Sequence, residues 1–154
     1  MMDMNKERQP GIITEAIILL ESNFIRYPVY SDEIEPKVSL SYSSQKANDD
    51  KWNGVLTANV SAVTSPDGEK IFEARIRYLG VFKAEPGDEN LKVDDFIKYH
   101  APAHIFPYLR EYLTSLSTRS GLPQVILPPV NMAALQKIDM EGHITDQKIE
   151  PKID

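Results

Sequence analysis

Apolar and polar residues alternate in three stretches between residues 38 and 83. Successive side chains of a strand point to opposite faces, so a period of two predicts strands with one apolar face. Such strands form an antiparallel sheet that is packed on one side only. The turn-forming residues Pro66, Asp67 and Gly68 separate the last two strands. The apolar positions are Val38, Leu40 and Tyr42, then Leu56, Ala58, Val60 and Ala62, then Phe72, Ala74, Ile76, Tyr78 and Phe82.

The second half of the chain has helical periodicity. Asp94 or Asp95 can cap a short helical turn that runs through Tyr99. The longer helix that follows ends at Gly121, and Pro107 predicts that its regular part begins at or near that proline. Asn131 is expected to cap a second, short helix. The longer helix carries an apolar stripe at Ile105, Leu109, Tyr112, Leu113 and Leu116.

Strands followed by helices predict an α+β fold, with the helices on one face of the sheet. The 154 residues fit one domain, which we assign to residues 12–142. Residues 1–11 are expected to be a flexible N-terminus, and residues 143–154 a polar tail. Residues 12–24 fit both a helix start and a strand, and their periodicity alone does not decide between the two.

Composition excludes several classes of function. The net charge of −6 and the scattered lysines and arginines argue against nucleic acid as a partner. The absence of cysteine excludes disulfides and thiolate sites and suits the cytoplasm. Glu15 interrupts the apolar run at residues 17–20, and no stretch is long enough to insert into a membrane.

Few residues suggest chemistry. His100 and His104 have the spacing of two metal ligands on a helix, but Pro102 lies between them and no third ligand is nearby in the sequence. The glycines are too dispersed to hold phosphate, and nothing resembles a nucleophile elbow. We therefore expect no enzyme activity, no metal and no cofactor.

Two proline-containing segments, residues 27–30 and 122–130, carry aromatic or branched apolar side chains. Such loops either fold over the core or remain exposed. Two of them in one small chain favour a binding groove or an oligomer interface.

The stretch 100–135, HAPAHIFPYLREYLTSLSTRSGLPQVILPPVNMAAL, resembles the signature region of the SecB export-chaperone family. The resemblance rests on Pro102, Phe106-Pro107-Tyr108, Arg110-Glu111, Arg119, Gly121, Pro123, Leu127, Pro129-Val130-Asn131 and Leu135. Leu79-Gly80-Val81-Phe82 is similar to the end of the family's fourth strand, and Phe24 with Pro28 to the end of its first.

The resemblance implies a four-stranded antiparallel Greek-key sheet, in which residues 12–24 form the first strand, with a long and a short C-terminal helix on one face. It also implies a homotetramer, a dimer of dimers, with the long helix at the subunit interfaces through Phe106, Leu109, Tyr112, Leu113 and Leu116. An unfolded polypeptide would bind in an exposed groove formed by Tyr27, Val29, Tyr30, Ile34, Val125, Ile126, Leu127, Met132 and Leu135.

The function implied is that of a cytoplasmic holdase, which binds unfolded or preprotein polypeptide for export. Glu21 matches one of the acidic positions that dock the SecA motor in the family. Ile25 and Ala74 stand where further acidic residues are expected, which argues against SecA as a partner. The alternative is an adaptor dedicated to a single partner, for example an antitoxin, without SecA coupling.

Overall fold

The structure, a computed structural model, describes residues 11–31, 33–64, 68–84, 93–123, 125–127 and 147–149. Four long strands come first: β1 (Ile12–Arg26), β2 (Ile34–Lys46), β3 (Lys51–Thr64) and β4 (Lys70–Ala84). The three alternating stretches are strands, as predicted, and so is the ambiguous first segment. Residues 34–36 begin β2 and pair with β3; a proline such as Pro36 is tolerated on the outer side of an edge strand.

The four strands lie in the order β1-β4-β3-β2, and all neighbours are antiparallel. Hairpins join β2, β3 and β4, whereas β1 lies beside β4 at the far side of the sheet from β2. This is the Greek-key order that the resemblance implied. The hairpin between β3 and β4 includes Gly68, whose φ of +72° suits a glycine; Pro66 and Asp67 lie outside the described residues.

The C-terminal part of the chain contains one strand that the sequence did not predict. A short strand, β5 (Gln147–Ile149), pairs with β2 at residues 38–40, within the segment assigned to the polar tail. Three residues are too few for a recognisable period of two, so the sequence gives no signal for this strand. The second short helix, with Asn131, lies outside the described residues.

One continuous helical segment follows β4, formed by α1 (Val93–Asp95), a π-helical turn (Phe96–His100) and α2 (Ala101–Arg119). Asp95 lies inside this segment and makes no side-chain capping hydrogen bond, contrary to the capping role predicted for it. The expected start near Pro107 is also wrong, since α2 begins at Ala101. Pro107 has no N–H to donate to the main-chain carbonyl of Ala103, four residues earlier. Both residues face water, which can hydrate that carbonyl.

The end of α2 agrees with the prediction. Gly121 has a φ of +75°, and its N–H bonds to the Thr118 carbonyl while that of Leu122 bonds to Ser117. These two bonds form a Schellman motif, which satisfies carbonyls at the helix end. The chain therefore leaves α2 in a fixed direction.

Helix α2 packs on one face of the sheet. Its side chains Ile105, Leu109 and Leu113 are fully buried, together with Leu56 and Ile76 of the strands. We call this the covered face of the sheet. The opposite face carries Asn59, Arg75 and Arg77, and we call it the open face.

A pair of glycines allows close packing on the covered face. Gly54 and Gly80 are cross-strand partners on β3 and β4. A Cβ at Gly54 would lie 2.5 Å from Tyr42 Oη, and one at Gly80 would lie 2.8 Å from the Phe82 ring and 3.0 Å from Ile105 Cδ1. Tyr42 Oη donates a 2.6 Å hydrogen bond to the main-chain oxygen of Ile97, and burial raises the pKa of this phenol. The two glycine positions thus leave room on the covered face for the rings of Tyr42 and Phe82 and for Ile105 of α2.

Candidate polypeptide-binding site

A hollow of about 700 Å³ runs along the outer side of α2. The side chain of Ile126 closes one side of it, and 48% of this side chain is exposed. Such a surface combines apolar contact area with a charged rim, as binding sites for polypeptides do. Its lining on α2 includes Phe106, Pro107, Arg110, Thr114 and Arg119.

The segment after α2 is hydrogen-bonded to the helix. The Ser117 hydroxyl accepts a 3.1 Å hydrogen bond from the N–H of Val125, and the Thr114 hydroxyl donates a 3.0 Å bond to its carbonyl. Val125 and Leu127 are buried in the core, whereas Ile126 points away from it. Of these three predicted groove residues, Ile126 is the one that reaches solvent.

Arg26 connects the other proline-containing segment to the same helix end. Its Nε donates a 3.3 Å hydrogen bond to the main-chain oxygen of Ser120. Its Nη1 donates to the carbonyl oxygens of Tyr27 and Val29, and to that of Ile71 on β4. The structure therefore brings the start of the β1–β2 connection and the end of α2 together.

The predicted groove residues of this connection have different surroundings. Tyr30 is 80% exposed, Val29 packs against the core, and Ile34 is buried at the start of β2. Tyr27 is half-buried, and its hydroxyl donates a 2.6 Å hydrogen bond to Glu73 Oε1 on the open face. This bond raises the pKa of the Tyr27 phenol and lowers the pKa of the Glu73 carboxyl. Met132 and Leu135 lie outside the described residues.

The residues predicted at the subunit interface lie mainly inside the chain. Leu109 and Leu113 are fully buried by the chain's own sheet, and Phe106 is nearly so. Tyr112 and Leu116 are half-buried, and the Tyr112 hydroxyl is 2.8 Å from that of Ser22 on β1. Any contact of this stripe with a second subunit would therefore fall mostly to Tyr112 and Leu116.

A surface that the sequence analysis did not identify lies on β1. Within the described part of the chain this long strand pairs with β4 alone, so its other edge has unpaired main-chain groups. Five of its large apolar side chains are exposed. The sequence does contain a signal for this surface, the apolar run of residues 17–20. Consecutive apolar residues in a strand place apolar groups on both faces of the sheet. The exposed side chains are Ile13, Ile18, Leu19, Leu20 and Ile25.

Glu21, the candidate SecA contact, is already paired. Its carboxylate lies 3.0 Å from Arg75 Nε and 3.6 Å from Arg77 Nη1, both on β4. A carboxylate shared by two guanidinium groups is a weak attractor for a further cation.

The two histidines with metal-ligand spacing lie beside the same aromatic ring. His100 and His104 both pack against the ring of Phe96, at centroid distances of 6.0 and 5.4 Å. Among the described residues, no three histidine, aspartate or glutamate side chains form a metal-binding group. No helix in the described ranges is long and apolar enough to span a membrane.

Known proteins share this sequence pattern and fold. The family model "Preprotein translocase subunit SecB" matches residues 25–142. The SecB protein-export protein of Psychrobacter arcticus is 28% identical over 148 residues, which cover 90% of this chain and 97% of the relative. That of Neisseria meningitidis serogroup B is 29% identical over 146 residues, with the same two coverages.

A solved structure has a similar fold. It is that of the SecB-like chaperone of Mycobacterium tuberculosis, in complex with a ChAD peptide from the HigA1 antitoxin. The TM-score is 0.67 at 13% sequence identity, over 78% of this chain and 91% of the other. The match of the family model over most of the chain, together with these relatives, shows that the chain belongs to the SecB family of protein-export chaperones.

Proposed function

We propose that this chain is a holdase that binds unfolded polypeptide in the hollow beside α2. The observation that carries the proposal is the exposed side chain of Ile126, held over that hollow by the hydrogen bonds of Val125 to Thr114 and Ser117. A segment fixed in this way presents apolar surface without ordering costs at the moment of binding. The assignment of Tyr30 and Val29 to the same site remains a prediction, supported by the link from Arg26 to Ser120.

Apolar burial accounts for promiscuous binding. A client that buries about 200 Å² of apolar surface gains about 5 kcal/mol before association costs, whatever its sequence. Several such weak sites in an oligomer would hold a long unfolded chain more tightly than a compact folded one. No catalytic step is part of this proposal.

The test compares Ile126→Asp with Tyr108→Asp. Tyr108 lies on α2 with a similar exposed fraction, 51%, but does not line the hollow, so it is a matched control. Light scattering during dilution of several unrelated unfolded proteins measures the suppression of aggregation. We expect the wild type and Tyr108→Asp to protect all of these proteins, and Ile126→Asp to require several-fold more chaperone. Equal protection by both variants would rule out this groove.

The same assay tests the alternative, an adaptor dedicated to one partner. The pairing of Glu21 with Arg75 and Arg77 favours this alternative over SecA coupling, because it leaves no free carboxylate at that position for a basic partner. An adaptor would leave all of the unrelated unfolded proteins to aggregate.

We also propose that the chain is a cytoplasmic homo-oligomer, a dimer of dimers in its complete form. The apolar edge of β1 supports a contact between copies, since an exposed strand edge with apolar side chains readily pairs with another strand. Light scattering coupled to size exclusion tests this with Ile18→Lys combined with Leu20→Lys. We expect a smaller assembly for this variant and an unchanged one for Tyr108→Asp; an unchanged mass for both would remove β1 from the interface.

A further inference from the structure

The open face has a hollow of about 440 Å³ that crosses all four long strands. Two cross-strand rows of side chains form its floor. One row consists of Asn23, Arg75, Asn59 and Ser39, and the next of Ile25, Glu73, Ser61 and Lys37. This hollow lies on the opposite side of the sheet from the α2 hollow, so it is a separate surface.

Among the described side chains, cations outnumber carboxylates on the open face, although the whole chain has a net charge of −6. The cations are Lys37, Lys51, Arg75, Arg77 and Lys83, and the described carboxylates beside them are those of Glu15, Glu21 and Glu73. Glu15 pairs with Lys51 at 3.2 Å, and Glu21 is shared between two arginines. Among the side chains that the structure describes, none forms an ion pair with Lys37 or Lys83. The described side chains of the open face therefore leave an excess of positive charge for a partner.

The polar floor is suited to a main chain. An asparagine amide offers a donor and an acceptor together, which matches the N–H and C=O groups of a peptide. Asn59 Oδ1 already accepts a 3.2 Å hydrogen bond from Arg75, which orients its amide group. Within the described ranges, the Asn23 side chain and the Ser39 and Ser61 hydroxyls make no hydrogen bond to the protein. Hydrogen bonds from these groups to a partner's main chain would not depend on the partner's sequence.

We propose that the open face binds a short, extended, acidic segment of a partner protein. Carboxylates of the segment pair with Lys37 and with the arginines of β4, and its main chain lies on the asparagine amides and serine hydroxyls. Lys37 and Arg75 are on strands two spacings apart and in adjacent rows, so about 12 Å separates them, which about four residues of extended chain bridge. Acidic side chains at that separation reach both cations.

A long polyanion fits this face less well. The positive charge is local, and electrostatic interactions in physiological salt decay over about 8 Å. A short acidic segment experiences mainly the open face, whereas a nucleic acid or an anionic membrane extends past it to the rest of an acidic chain.

Fluorescence anisotropy tests the proposal with a labelled twelve-residue peptide in which glutamate recurs at every second position, so that all of its glutamates lie on one face of an extended chain. A peptide with lysine in place of glutamate is the reference ligand. We expect the acidic peptide to bind more tightly, and high salt to weaken it. Lys37→Glu and Arg77→Glu should each raise its Kd about five- to tenfold, because each reversal replaces an attraction with a repulsion.

Lys98→Glu is the matched control, since it makes the same charge change on the helical segment away from the open face. We expect it to leave the Kd of the acidic peptide nearly unchanged. Preference for the lysine peptide, equal effects of all three variants, or complete displacement by duplex DNA or anionic vesicles would overturn the proposal.

The outcome is separable from the holdase role. Ile126→Asp should leave binding of the acidic peptide unchanged, and Lys37→Glu should leave aggregation suppression unchanged. If Ile126→Asp abolished peptide binding, the peptide would be a client in the α2 hollow, and the proposal for the open face would be wrong.

Discussion

The Nε of Arg26 donates a hydrogen bond to the main-chain oxygen of Ser120 across 3.3 Å, although 94 residues separate the two. Ser120 is the last residue before the glycine that ends α2, and Arg26 is the last residue of β1. This bond fixes where the β1–β2 connection leaves the sheet relative to where the chain leaves the helix. It joins the two segments from which a client groove could be built.

Replacement of Arg26 by alanine should therefore loosen both segments. Hydrogen bonds to a charged donor contribute about 1.5–3 kcal/mol, and the carbonyls of Tyr27, Val29 and Ser120 would all lose this donor. We expect a loss of that size in the free energy of unfolding by urea, together with faster hydrogen exchange at Val29. Arg119→Ala removes an exposed arginine that bonds to the Ser115 hydroxyl, and it should change stability little. Equal losses for the two variants would contradict the role given to Arg26.

Ser117→Ala tests how residues 125–127 are held. The Ser117 hydroxyl is fully buried and accepts the hydrogen bond of the Val125 N–H, so its removal leaves a buried donor unpaired. We expect a loss of about 1–3 kcal/mol in urea unfolding and weaker aggregation suppression. Ser43→Ala, at a half-buried serine of β2 that does not line the α2 hollow, serves as the control and should keep both properties.

Gly54→Ala should destabilise the fold by overpacking. Its Cβ would lie 2.5 Å from Tyr42 Oη and 2.9 Å from Tyr42 Cε1, and such insertions typically cost about 1–3 kcal/mol. Asn53→Ala, at the neighbouring half-buried position that points to the open face, should cost less. The measurement is the urea midpoint; a variant as stable as the wild type would show that Tyr42 moves away without cost.

Tyr27→Phe should change the titration of Glu73. The Tyr27 hydroxyl stabilises the carboxylate and holds the pKa of Glu73 below its ordinary value of 4.5. Without that hydroxyl the pKa should rise, which the carbon NMR signal of the carboxyl measures directly. Tyr108→Phe, on α2, should leave this signal unchanged.

The sign of the pH dependence follows. Because the folded pKa of Glu73 is lowered, its contribution to stability is present above pH 4.5 and is lost as the pH falls through the lower folded value. The stability difference between wild type and Tyr27→Phe should therefore shrink in acid. A difference that grew with acidity would contradict the direction of the shift.

The sheet could be predicted because β3 and β4 are apolar on one face only, so burial is visible as a period of two. The same reasoning failed where the burial of a residue depends on which other strands or helices pack against it. Pro107 is compatible with α2 because its side of the helix faces water. The sequence alone does not show which side of the helix is exposed. Val125, Ile126 and Leu127 are all apolar, so the sequence could not distinguish the two buried side chains from the exposed one.

Glu21 illustrates a further limit. Its pairing with Arg75 and Arg77 depends on the register of β1 against β4, which shifts between Leu19 and Glu21. An irregularity of this kind has no reliable signature in one sequence. The family signature in residues 100–135 predicted the fold and the class of function. The charge of the open face became visible only in the structure, where β1, β2 and β4 lie in one sheet.

The facing glycines of β3 and β4 have a consequence for how this protein can vary. Their missing side chains leave the space that the rings of Tyr42 and Phe82 and the side chain of Ile105 occupy between the sheet and the helical layer. A related chain with alanine at both positions would have to move or shorten these three side chains in compensation. Substitutions at these five positions should therefore be tolerated in combination more readily than one at a time.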